Sequence, residues 1–230
     1  MTDPALFKLC SLLLQYPDEP LIAGRGELLE AAADLGRRRS ARLVREGCAA
    51  LAAREPEGLR REYVETFDFR RRNSLYLTYH SYGDRRERGA ALIALKQRYE
   101  GAGFELETGE LPDYLPLMLE FRALAPEPGT EALVEHREAL EVLRGNLADA
   151  RSPWAPIVGS ICEALPAITR RQRGRAAEMA AAGPPTESVG LEPYPPAEAM
   201  PPAARAPVAV TRPPGSPADL PPVVGAGGRP

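Results

Sequence analysis

The chain has 230 residues, 25 of them proline, and 29 basic against 32 acidic side chains give a formal net charge of −3, which supplies no global attraction to nucleic acid or to an anionic membrane surface. Cys10, Cys48 and Cys162 are widely spaced and never form a C-x-x-C, so neither a disulfide framework nor a thiolate metal site is supported. No apolar run approaches the roughly 18 residues of a membrane span, and no basic segment precedes an apolar one at the N-terminus, so the expectation is a cytoplasmic protein with no direct membrane insertion.

More than half of the prolines lie after Gly183, in a run of Pro, Gly, Ala and Val that buries too little apolar surface to offset its ordering entropy. This predicts a folded domain over 3–182 and a disordered tail over 183–230. A domain of that size buries about 70% of its unfolded surface, enough for one core without disulfides or metals.

Thr2 or Asp3 before Pro4 starts the first helix, with Leu6, Leu9 and Leu13 beside Phe7, Cys10 and Leu14 as a wide apolar stripe that Tyr16-Pro17 ends. A modest surface helix follows from Glu27 to Leu35, closed by Gly36. Ser40 caps a third, in which Leu43, Val44, Cys48 and Leu51 share a face. Pro56 opens a fourth, where Leu59, Tyr63 and Phe67 recur four apart.

Residues 69–83 are the least regular stretch. In isolation Leu75 to His80 reads as a strand, but no second convincing strand exists to pair with it, so it is expected helical or extended against helices. Asp84 with Glu87 resembles a capping box for a helix burying Leu92, Leu95 and Tyr99, ended by Gly101 and Gly103. Glu110 to Asp113 opens the next helix, with Pro116 in its first turn and Leu117, Phe121 and Leu124 as its apolar row. Thr130 starts a long amphipathic helix through Leu147. Ser152-Pro153 starts another, which Pro166 kinks or ends, and 170–182 is a polar, Ala-rich extension. The fold class is all-α, one compact multi-helix domain.

Chemistry-bearing constellations are scarce. There is no G-x-G-x-x-G, Walker loop, G-x-S-x-G or H-E-x-x-H, so the chain is not read as an enzyme. His136 falls on or beside an apolar face and reads as a core or boundary histidine. His80, between Tyr79 and Tyr82, is evenly balanced between a structural and a functional role. Glu110 and Asp113 at a helix start are explained by capping. The groups Arg70-Arg71-Arg72 and Arg85-Arg86-Arg88 present guanidinium forks to phosphate or carboxylate partners, or form a solvated face.

Residues 63–121 gather most of the tyrosines, four of the five phenylalanines and one of the two histidines. The motifs there, YVETFD, then YHSYGDRRERGAAL, YEGAGF and ELPDYLPLMLEF, together with the opening FKLCSLLLQYPDE, resemble the NarJ-type nitrate reductase molybdenum cofactor assembly chaperones, also called the delta subunit family. The resemblance implies a cofactor-free, all-helical chaperone. It would hold the catalytic (alpha) subunit of a respiratory nitrate reductase by that subunit's N-terminal segment, keeping it competent for molybdenum cofactor insertion and membrane attachment, with cofactor delivery proteins as further partners.

Tyr63, Phe67 and Asp68 match the family's aromatic-acid motif. His80, Gly83, Arg86, Arg88 and Gly89 match its His-to-Arg-Gly motif, and Glu110, Leu111, Pro112, Asp113 and Leu115 match the loop that starts a binding helix. Tyr114 departs from the wider group, where His is common. Client-binding candidates are therefore Phe67, Asp68, Tyr79, His80, Arg86, Arg88, Asp113, Tyr114 and Leu117. Phe67, Tyr79 and Leu117 are the expected walls of a groove, and Phe67 and Leu117 equally fit a plain core. The competing class is a helical regulator binding nucleic acid through the arginine clusters, which the acidic balance and the lack of a clear helix-turn-helix disfavour.

Overall fold

A computed structural model describes residues 3–106 and 109–185 and the backbone of 210–211. Its helices in chain order are α1 (Pro4–Leu13), α2 (Glu19–Ala23), α3 (Arg25–Asp34), α4 (Arg39–Ala52), α5 (Pro56–Tyr63), α6 (Leu77–Tyr82), α7 (Glu87–Gly101), α8 (Leu115–Leu124), α9 (Pro126–Glu135), α10 (Arg137–Asp149), α11 (Ala155–Ala164) and α12 (Arg170–Ala182). The fold is all-α, as its apolar periodicity requires.

The core gathers on α1. Asp3 caps it by accepting the Ala5 N–H at 2.9 Å, and Pro4 sits in the first turn, where a missing N–H leaves nothing unpaired. Phe7, Cys10 and Leu14 are fully enclosed. Along one side α1 packs on α8, and the Ser11 hydroxyl donates to the Pro116 carbonyl at 2.8 Å, one of the few polar ties through this interface.

At the far end of α1, where the last carbonyls have no intrahelical partner, two aromatic donors take their place. Trp154 Nε1 donates to the Leu13 carbonyl at 3.1 Å and the Tyr63 hydroxyl to the Leu14 carbonyl at 3.0 Å. Phe67 completes this corner, with its ring centroid 4.8 Å from that of Tyr63 and 5.2 Å from that of Trp154. Regular helix ends at Tyr63, and a π-helical turn over Val64–Asp68 carries the chain on. That wider turn keeps Phe67 in the core while Asp68 and Phe69 turn outward.

Several boundaries differ from the sequence expectation, each for a local reason. α2 is five residues long with Pro20 in its first turn, too short to show a period, and Asp18 caps it through the Leu21 N–H at 3.0 Å. Ser40 is buried inside α4, which begins at Arg39, so it caps nothing. α7 begins at Glu87 with Arg86 at its N-cap, and no side chain caps it.

The long helix expected from Thr130 is two helices. α9 starts at Pro126, with the Thr130 hydroxyl bonded inside it to the Pro126 carbonyl, and the chain breaks at His136 (φ −104°, ψ 22°). The break brings Arg137 to the end of α11, where it donates to the Cys162 and Pro166 carbonyls at 3.0 and 3.2 Å while pairing with Glu141. A cation there answers the negative end of α11. His136 is half-buried and bonds the Ala132 carbonyl, the boundary role expected of it.

The Ala-rich extension is helical. α12 opens with a reciprocal capping box between Thr169 and Gln172 and lies along α10. Leu75 and Tyr76 are extended, Tyr76 forms a single antiparallel bridge with Tyr114, and helix resumes at Leu77. One strand pair was not expected: β1 (Glu105–Leu106) runs antiparallel to β2 (Val210–Thr211).

Of the segment expected to form a disordered tail, 183–185 are described. The Pro185 carbonyl lies so close to Gly83 (φ +57°) that a Cβ there would approach it to 1.9 Å. Apart from 210–211, residues 186–230 lie outside the described residues. The three cysteines are free and buried, and burial pushes the Cys10 and Cys162 thiols up to about 12, as suits small core residues.

Close backbone approach at Gly129 yields a stability test. A Cβ there would sit 2.4 Å from Arg122 Cα and 2.7 Å from its backbone nitrogen, so α8 and α9 cannot keep their separation. At Gly47 a Cβ would clash with the Ile157 side chain, at 2.5 Å, and stay at ordinary contact distance, 3.4 Å, from the Ile157 backbone nitrogen. Gly129→Ala is expected to destabilise by about 2–3 kcal/mol, at the upper end of overpacking costs. Gly47→Ala should cost less, because a side chain can shift where a backbone cannot. Urea unfolding of both variants checks the order.

Candidate functional site

Two of the motifs, the His-to-Arg-Gly segment and the loop before α8, meet in a buried clasp between the segment entering α6 and the loop entering α8, whereas Tyr63 and Phe67 of the first motif lie apart from it, beside Trp154. Backbone bonds close it first: the Leu77 N–H donates to the Asp113 carbonyl at 3.0 Å and the Leu115 N–H to the Leu75 carbonyl at 2.8 Å. The Asp113 side chain, fully buried, then bonds across it. Its Oδ2 accepts the Thr78 N–H at 3.1 Å, the Thr78 hydroxyl at 2.5 Å and Arg88 Nη2 at 3.3 Å. Asp113 therefore caps the first turn of α6, not the helix that follows it, which corrects the local capping role expected from sequence. α8 begins with Tyr114 at its N-cap and no side-chain cap bond.

Arg88 completes the charge balance. Its Nε donates to the Thr78 hydroxyl at 3.0 Å, and its guanidinium lies 5.8 Å from the Tyr76 ring centroid and 5.6 Å from that of Tyr79, within cation–π reach. The Tyr76 hydroxyl donates to Glu110 at 2.6 Å, and the Tyr76 and Tyr114 rings pack with centroids 5.3 Å apart. Beneath them the Tyr99 hydroxyl donates to the Pro112 carbonyl at 3.1 Å, and burial pushes its pKa well up, so it remains a donor.

His80 is buried on α6 with Nε2 2.9 Å from the Ser74 carbonyl. A carbonyl only accepts, so Nε2 carries the proton and donates. Burial pulls the His80 pKa down, and the Ser74 carbonyl and Asp113 oppose that shift only in part.

The candidates thus divide by exposure. Phe67, Tyr79, His80, Asp113, Tyr114 and Leu117 are buried, and Leu117 is wholly enclosed in α8. Arg88 is largely engaged with the clasp. Asp68 and Arg86 are exposed, Arg86 at the start of α7. One residue that sequence reasoning passed over stands out: Phe69, adjacent to Asp68, is 78% exposed. Its signal was the end of the Leu59, Tyr63, Phe67 stripe, which leaves the next aromatic with no core position. No group of three His, Cys, Asp or Glu side chains among the described residues is arranged to hold a metal ion, and no helix among them is long and apolar enough to cross a membrane.

With this all-helical fold and clasp in view, comparison with known proteins assigns the class. The family described as the nitrate reductase delta subunit matches residues 27–158, a span that contains the entire clasp, and the chain belongs to that family. Among individual relatives it is similar to the probable nitrate reductase molybdenum cofactor assembly chaperone NarJ of Bacillus subtilis, at 35% identity over 167 residues, covering 72% of this chain and 91% of that one. It is also similar to NarJ of Escherichia coli K12, at 35% identity over 153 residues and 63% of each chain. Nitrate reductase-like protein NarX of Mycobacterium tuberculosis is 36% identical over 162 residues, 68% of this chain but only 24% of that longer protein.

The buried His80 makes stability depend on pH in a defined window. An unfolded histidine titrates near 6.5, whereas the folded pKa is lower, so between the two values only the unfolded state takes up the proton. Stability is complete above 6.5 and falls as pH drops through that value toward the folded pKa. Melting temperature is therefore expected to fall between about pH 7.5 and pH 5.5. His80→Gln, which keeps a donor for Ser74 without the titration, should flatten that slope. The carboxylates held low, Glu141 among them, contribute only near and below 4.5 and leave this window clear.

Proposed function

We propose that the chain is a system-specific chaperone for a respiratory nitrate reductase, binding the apo catalytic subunit and supporting its assembly with molybdenum cofactor. The observation that carries this reading is the extended similarity to the Bacillus chaperone, over 91% of that protein's length. In this reading the chain works in the cytoplasm as a binding protein rather than an enzyme and receives the N-terminal segment of the catalytic subunit before membrane attachment. It cooperates with proteins that deliver the cofactor.

The client segment is proposed to dock as an amphipathic helix. The exposed candidates Asp68 and Arg86, together with Phe69, make direct contact. Phe69 supplies an apolar anchor of the kind that dominates interface energetics, and Arg86 a fork for a client carboxylate. Phe67, Tyr79, His80, Asp113, Tyr114 and Leu117 are buried and Arg88 is engaged with Asp113, so a client would reach these candidates only by opening the fold.

Calorimetry with a peptide of the catalytic subunit's N-terminal segment tests this. The full chain is expected to bind it, Phe69→Ala to weaken binding about tenfold, and the melting temperature of that variant to stay unchanged because the ring has little to pack against. A wild-type chain that gives no heat and fails to co-purify with the catalytic subunit would overturn the chaperone reading. Co-expression separates holding from maturation: Arg86→Ala is expected to lower the cofactor content of the reductase without unfolding the chaperone. Arg88→Ala would confound that test by breaking the clasp.

A further inference from the structure

Arg70, Arg71 and Arg72 line an open cleft of about 520 Å3 with Asn73, Asn146, Asp149 and Ala150. We propose that this cleft is a binding site for a phosphate-bearing small molecule, with Arg70 and Arg71 as its principal ligands. The inference goes beyond the chaperone reading and does not depend on it.

The backbone beneath the arginines is fixed, so the site is built rather than frayed. Residues Arg71–Asn73 form a 3₁₀ turn in which the Asn73 N–H donates to the Arg70 carbonyl at 2.8 Å. Asn73 is itself buried, and its Nδ2 donates to the Thr66 carbonyl at 3.0 Å. From the opposite wall, Asn146 Nδ2 donates to the Arg72 carbonyl at 2.7 Å, tying the turn to α10.

The side chains, by contrast, lack charge partners. Arg54, Arg60, Arg98, Arg137 and Arg144 each hold a carboxylate. Among the described residues none lies within ion-pair distance of Arg70, Arg71 or Arg72. Arg72 has another task, since its Nη2 lies 3.6 Å from where Gly183 would carry a Cβ, at the end of α12 where a cation is favourable. That leaves two adjacent forks without an anion.

The lining also selects the ligand class. Apart from Ala150 its lining residues carry polar or charged groups, three of them guanidinium, which can answer a phosphate, and the volume falls in the roughly 300–1,000 Å3 range of small-molecule sites. Guanidinium binds phosphate oxygens in pairs, with fixed geometry. Asp149 is the one carboxylate in the lining, so it sets an electrostatic limit on how tightly an anion is held.

Equilibrium dialysis of the full chain at low ionic strength, with inorganic phosphate and separately with glycerol 3-phosphate, tests the site. Binding of either probe, weakened by added salt, is expected. Similar binding of the two indicates a site that reads phosphate alone, and tighter glycerol 3-phosphate indicates one that also reads the organic part. Arg70→Gln with Arg71→Gln should weaken binding about tenfold. Asp149→Asn should tighten it severalfold. All three side chains are exposed, so melting temperatures should stay near wild type. A wild-type chain that binds neither probe overturns the proposal and leaves Arg70 and Arg71 as a solvated face. Binding unchanged in both variants would overturn it equally, by placing the anion elsewhere.

Discussion

A fully buried carboxylate is the constraint on which the central half of this fold depends. Asp113 is withdrawn from water, and a carboxylate so placed is tolerated only where donors and an opposite charge replace its hydration. Thr78 supplies two donors and Arg88 the charge, and all three bonds fall on Oδ2, leaving Oδ1 without a protein partner. Because the partners come from α6 and α7 while Asp113 stands two residues before α8, one side chain fixes three helices relative to one another. α8 in turn is the helix against which α1 is packed, so the clasp sets the entry angle of a core element.

The same dependence explains how much of the molecule could be read in advance. α1, α8 and α11 were legible because each carries an apolar stripe at helical period and a proline near its start. Boundaries set by nearest neighbours were less so. Ser40 and Asp84 have the chemistry of caps, yet packing claims Ser40, and the helix after Asp84 begins later, with Arg88 drawn inward to Asp113. His136 breaks what looks like one amphipathic run because Arg137 is needed at the end of α11, a demand that no local window contains.

Within the site the limit is sharper still. Sequence placed Asp113 at the start of its own helix and offered it that helix's N–H groups. Its true partners lie 35 and 25 residues away. The aromatic surplus of the central stretch was plain in the sequence, but its division between core and surface was not. Phe67 and Phe69 differ by two positions, and only the π-helical turn decides that the first ring meets Trp154 and the second meets solvent.

Arg86 and Arg88 carry the same lesson into function. As letters they form one basic motif, yet residues two apart at the start of a helix project to different sides and cannot act as one fork. Arg88 is committed to Thr78, Asp113 and two tyrosine rings, whereas Arg86 is exposed. Likeness to a family motif therefore marks two kinds of residue at once, those that build the clasp and those that it presents. Exposure separates them: Arg88 is bonded inside the clasp, while Asp68, Phe69 and Arg86 face outward, which is why the proposed docking assigns the direct contacts to those three.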